Sequence, residues 1–166
     1  MKRTFVFFSV ALIGVFLLIS CSEKSKVTIF DGELTWPSIL NNECWNATDN
    51  DGNVVMWAPH FQTEIGNSLR GVLFNIYTCE PGVYSATYDA KTDKWSTDII
   101  KIVKLTVDYD GKMYPNWNGQ SATITIHSYD KETKTIDATL EAIVVMEGST
   151  NSRKIMINMQ NYKIAK

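Results

Sequence analysis

The stretch ATITIHSYDKETKTIDATLEA, residues 122–142, decides the fold. Ala122, Ile124 and Ile126 fall on one side of an extended chain, and Thr123, Thr125 and His127 fall on the other. The rule resumes after a polar reversal: Ile136, Ala138, Leu140, Ala142 and Val144 alternate with Asp137, Thr139 and Glu141. Each segment therefore has one dry and one wet face. That is the signature of antiparallel sheets, because strands of a parallel sheet covered by helices are apolar on both faces.

Working outward, turn chemistry punctuates the chain. Asp51-Gly52 separates a strand near 43–48 from one near 53–57, Pro81-Gly82 follows a strand at 70–78, and Asp110-Gly111 closes a hairpin after 99–107. Polar clusters at Ala90–Lys94, Asp130–Thr135 and Glu147–Arg153 mark further reversals. The expectation is an all-β domain, an antiparallel β-sandwich or flattened β-barrel of about eight to ten strands. Only Trp36–Asn42 reads as a helical turn, with Pro37 tolerated in its first turn.

The amino terminus has a different character. Lys2 and Arg3 precede an apolar run from Phe5 to Ile19, which as a helix would span about 22 Å, short of the roughly 30 Å hydrocarbon core. This is the shape of a signal peptide. Leu18-Ile19-Ser20-Cys21 resembles the lipobox of bacterial lipoproteins, in which the cysteine is lipidated and becomes the first residue of the mature chain. The resemblance implies a signal peptide at 1–20, a lipidated Cys21 and tether at 21–26, and one β domain at 27–166. Two or three acyl chains at about 0.8 kcal/mol per buried methylene hold such a domain on a bilayer. Ser22 after the cysteine implies the outer membrane of a Gram-negative cell, with the periplasmic and external faces both open.

Loss of Lys2 and Arg3 leaves 14 of the 16 basic residues against 18 acidic ones, a net charge of −4. A nucleic-acid partner is not expected, since it requires a clustered basic surface. The 146 remaining residues suit one domain. Cys44 and Cys79 lie in a compartment that permits disulfides, and both a bridge and two separate thiols are open. Neither a CxxC pair nor zinc-like spacing around His60 and His127 occurs, so no metal or cofactor is expected.

The order of features also resembles small β-rich outer-membrane lipoproteins of the Bacteroidota. The residues that carry this are the ECWNA strand, Pro81-Gly82-Val83-Tyr84, Tyr129-Asp130 before Ile136, and the closing strand KIMINMQNYKI. Ala138 stands where that family commonly has glycine. The likeness covers about residues 43–164; it implies an all-β fold and supplies no activity.

Candidate sites are few. Asp49, Asp51 and Asn53 alternate like the start of a calcium loop, but Val54 and His60 stand where that loop needs glycine and glutamate, so a hairpin turn is expected. His127 has the pKa range of a general base but lacks an evident partner; a cleft joining His127 or His60 to a carboxylate would favour an enzyme. Gly66-Asn67-Ser68-Leu69-Arg70 departs from a nucleophile elbow at its last position. Asp137 and Glu141 lie about 13 Å apart along one strand, too far for paired glycosidase carboxyls.

Among five tryptophans, Trp45 and Trp57 are expected in the core. Trp117, in YPNWNGQ, is expected in a loop, where its ring with Asn116, Asn118 and Tyr114 would form a sugar-binding surface; the alternative is that it folds back to cap an open end. The function expected is a non-catalytic, lipid-anchored binding or accessory module at the cell envelope, with glycan or protein as ligand. The alternative is a lipocalin-like carrier of a small apolar molecule, which requires an unfilled interior of about 300 Å³ or more.

Overall fold

The structure, a computed structural model, describes residues 25–109 and 112–166, with the backbone alone at 102, 108, 109 and 112–116. It is all-β, a curled antiparallel half-barrel. The strands are β1 (Lys26–Asp31), β2 (Leu34–Thr35), β3 (Asn41–Thr48), β4 (Val54–Ile65), β5 (Ser68–Ile76), β6 (Gly82–Asp89), β7 (Lys94–Trp95), β8 (Ile100–Tyr109), β9 (Lys112–Asp130), β10 (Thr135–Met146) and β11 (Ser152–Lys163). Nine of them follow the order β2-β1-β11-β10-β9-β8-β5-β4-β3. β1 begins at Lys26, the last residue of the expected tether, and Cys21 lies outside the described residues.

Both defining segments obey their alternation. Ala122, Ile124 and Ile126 on β9, and Ile136, Ala138, Leu140, Ala142 and Val144 on β10, are all buried. They meet cross-strand, Ile124 opposite Leu140 and Ala122 opposite Ala142, and irregularities between Asp137 and Ala138 and between Ile143 and Val144 shift the register while these residues stay on the inner face.

The sheet curls until β4 meets β11 across the interior. Phe61 of β4 packs its ring 5.5 Å from that of Tyr162 on β11, and Phe61 and Trp57 both meet Phe74 of β5 at 6.4 and 6.3 Å. These rings fill the interior, each worth roughly 1.5–3 kcal/mol of burial or more. Trp57 keeps its indole N–H satisfied by donating to the Thr78 carbonyl at 2.8 Å.

One end of the half-barrel is closed by charge. Asp31 of β1, whose carboxylate is wholly buried, accepts from Arg70 of β5 at 2.5 Å and from Arg153 of β11 at 3.0 Å. Arg153 in turn lies 5.0 Å over the Trp117 ring.

The turns follow local chemistry. Tyr88-Asp89 and Tyr129-Asp130 open two reversals of the same design, in which the aspartate accepts backbone N–H groups two residues on. Each ends on a residue in the left-handed region, Asp93 at φ 56° and Lys134 at φ 57°. The Pro-Gly-x-Tyr element has a physical basis too: a Cβ on Gly82 would crowd the Tyr84 hydroxyl at 3.1 Å, and glycine leaves room for that phenol to fold back and donate to the Glu80 carbonyl at 3.0 Å.

Three expectations are corrected. Residues 36–42 form no helical turn; Asn41 and Asn42 already belong to β3, and the Leu40 N–H is tied to the Gln62 carbonyl at 2.7 Å. Trp45 points outward, 53 % exposed, while Cys44 turns inward beside Tyr162. β3 is an edge strand with polar residues on both faces, so alternation could not choose between them. Finally, YPNWNGQ is strand rather than loop, and the pairing there explains how it holds a proline. Val107 pairs with Tyr114 and Leu105 with Trp117, so Pro115 and Asn116 together face Thr106 in a bulge that needs no N–H from Pro115.

Candidate functional site

The fork in the pairing of β9 creates the most distinctive surface of the molecule. On one side β9 bonds to β10 from Trp117 to Asp130. On the other it bonds to β8 only as far as Asn118, opposite Lys104, and to β6 only from Ser121, opposite Thr87. The two partners diverge at Gly119, and the space between them is an open cleft of about 900 Å³.

Gly119 forms its floor because nothing larger fits: a Cβ there would lie 2.7 Å from the Val103 Cβ and 3.1 Å from the Trp95 ring. Trp95 and Tyr88 make one wall. They face each other across the β6–β7 hairpin with ring centroids 5.7 Å apart and planes tilted by 51°. Asp93 accepts the Tyr88 hydroxyl and so fixes the phenol; that bond raises the phenol pKa. Tyr77, 41 % exposed, stands on the opposite wall with the Lys101 ammonium 5.0 Å over its ring. Lys101 also pairs with Asp98 at 2.8 Å, which raises the lysine pKa and lowers that of the aspartate. Asn118 and Lys104, both exposed, complete the rim.

The sugar-binding surface expected around Trp117 is thereby divided. Trp117 is half-buried and packed against the core under Arg153. Asn118, the next residue on the strand, faces outward into the cleft. The side chains of Asn116 and Tyr114 lie outside the described residues. Sequence reasoning assigned no role to Tyr77, Tyr88 or Trp95. The available signal was TYDAKTDKW: a turn of the kind found at Tyr129-Asp130 sets Tyr88 directly opposite Trp95.

A second open cleft, about 1330 Å³, lies on the outer face of β1, β11, β10 and β9, and it does hold His127 with Asp130 and Asp137. Its hydrogen bonds do not form a relay. His127 bonds to the Thr139 hydroxyl at 3.2 Å, whereas Asp137 accepts from the Ser128 hydroxyl at 3.0 Å and from the Asn161 N–H at 2.5 Å. Asp130 is engaged by the N–H groups of Thr133 and Glu132, and the bonding to Thr133 above all lowers its pKa. His60 packs against Trp45, ring centroids 5.8 Å apart.

Asp49 is a turn residue: it accepts the N–H groups of Asp51 and Asn53 at 3.0 and 2.9 Å, and bonding to Asn53 lowers its pKa. No group of three or more metal-ligating side chains occurs among the described residues. Cys44 and Cys79 are free thiols, each with its pKa pushed up to about 11 by burial. In comparisons with known proteins, the chain matches no family model, no curated protein and no solved structure.

Proposed function

We propose that the chain is a non-catalytic glycan-binding module, held at an outer membrane by lipid on Cys21, and that it binds its ligand in the cleft between the β6–β7 hairpin and β8. The carrying observation is the aromatic pair Tyr88–Trp95 facing Tyr77 across an open cleft with amide, carboxylate and ammonium groups at its edge. Sugar rings present apolar faces and a fringe of hydroxyls, and such a ligand matches aromatic walls with polar groups around them. The volume falls within the usual range of small-ligand sites, roughly 300–1,000 Å³. The carrier reading finds less support, because the inner face is occupied by Trp57, Phe61, Phe74 and their aliphatic neighbours.

A glycan array probed with the purified protein tests the proposal, with Trp95→Ala and Tyr77→Ala as site variants and Trp117→Ala as a control outside the cleft. Truncating an aromatic anchor of a binding site typically costs 1–2 kcal/mol or more, about tenfold in affinity. That loss is expected for the two cleft variants and not for the control. Glycan binding that survives both cleft substitutions, or no glycan binding at all, would refute the assignment.

A further inference from the structure

We propose that the cleft selects anionic glycans, those bearing carboxylate or sulfate groups, a deepening that rests on the glycan-binding reading above. Three lysines and two aspartates line it: Lys94, Lys101 and Lys104 against Asp93 and Asp98. Asp98 is neutralised by the Lys101 ammonium at 2.8 Å, whereas Asp93 keeps its negative charge while accepting the Tyr88 hydroxyl, so three lysines against two aspartates leave a net charge of +1.

Lys94 and Lys104 remain. Each is exposed, each borders the cleft, and neither has a carboxylate within ion-pair distance among the described residues. They approach from opposite sides, Lys94 from the β7 wall beside Trp95 and Lys104 from β8 beside Asn118. The cleft thus carries a net positive charge on a chain whose overall charge is −2. An ammonium on a flexible stem is a mobile point charge, suited to an anion whose position varies along a sugar chain.

The geometry also separates two contributions. Tyr88, Trp95 and Tyr77 would contact the ring of any sugar, whereas Lys94 and Lys104 reward only the charged ones. Their influence must then be additive to ring binding and sensitive to salt.

The test is a titration of the full protein with three matched trisaccharides: trigalacturonic acid, its carboxyl-reduced neutral counterpart, and a sulfated galactose trimer. At low salt the charged members should bind about two- to thirtyfold tighter than the neutral one, the span expected of two exposed ion pairs. The double substitution Lys94→Gln, Lys104→Gln alters only exposed side chains and should erase that preference, bringing the charged trimers to the affinity of the neutral one in the same variant. Raising the salt to 0.5 M should narrow the gap as well. Equal binding of charged and neutral trimers at low salt, or a preference that persists in the double variant, would overturn selection by charge while leaving the glycan site standing. Binding of all three that is unaffected by Trp95→Ala, or no binding of any, would instead overturn the site itself and this inference with it.

Discussion

Replacing Gly119 with alanine adds one methyl group at the point where β6 and β8 part. That methyl would sit 2.7 Å from the Val103 Cβ and 2.8 Å from the Val103 carbonyl oxygen, against a normal carbon–carbon contact of about 3.5–4.0 Å. A rotamer change at Val103 cannot relieve it, because Cβ and the carbonyl are fixed to the main chain, and Val103 is only 1 % exposed. Gly119 has no left-handed backbone, so the cost is steric alone. Overpacking of this kind costs about 1–3 kcal/mol, and the upper half of that range applies where main chain must move. Urea unfolding followed by tryptophan fluorescence should therefore show a loss of about 2 kcal/mol, with a fall in melting temperature of about 4–8 °C. The third contact, 3.1 Å to the Trp95 ring, means the wall of the cleft shifts too, and glycan affinity should drop with stability. Gly71→Ala is the control. Its nearest neighbour is the Gln62 Cγ at 3.3 Å on a flexible side chain, so a change within about 0.5 kcal/mol is expected. A Gly119→Ala protein as stable as the parent would refute the packing described at the fork.

Other perturbations probe other parts of the molecule. Asp31→Ala leaves Arg70 and Arg153 without their shared buried carboxylate and should cost about 3–5 kcal/mol in the same unfolding assay. Trp57→Ala should cost about 3–5 kcal/mol, whereas Trp45→Ala, at a half-exposed edge position, should cost under about 1 kcal/mol; similar losses would contradict the assigned faces. Stability should also fall at alkaline pH. Cys44 and Cys79 are neutral in both states below pH 9, their ordinary value, and between pH 9 and about 11 the unfolded chain releases protons that the fold retains. Both thiols contribute to this loss, and Tyr162 acts in the same direction at higher pH, its phenol likewise pushed up by burial. With reductant present, a urea midpoint that stays constant from pH 8 to 10.5 would contradict this.

Much of the fold was legible because the sheet imposes a period of two. Every inward residue expected on β9 and β10 between Ala122 and Val144 is buried, and the Asp51-Gly52 and Pro81-Gly82 turns lie where turn chemistry placed them. Local signals failed where pairing overrode them. Pro115 and Gly119 suggested a loop, but a bulge opposite Thr106 accommodates the proline, and β10 pairs with Trp117, Asn118 and Gly119 directly. Trp45 was misplaced because a large aromatic ring counts toward burial in sequence patterning, while an edge strand offers it no partner sheet. The cleft itself was illegible. It depends on β6 and β8 sharing one edge of β9, a pairing between segments more than thirty residues apart that no local pattern encodes. Asn118 was identified, but its partners Tyr77, Tyr88 and Trp95 come together only through that topology.

The most direct test of the central claim is amide chemical-shift mapping of isotope-labelled protein titrated with trigalacturonic acid. Perturbations concentrated at Tyr77, Tyr88, Lys94–Lys101, Asn118 and Gly119 are expected. Shifts confined to the His127–Asp137 face, or the absence of any saturable shift, would contradict it.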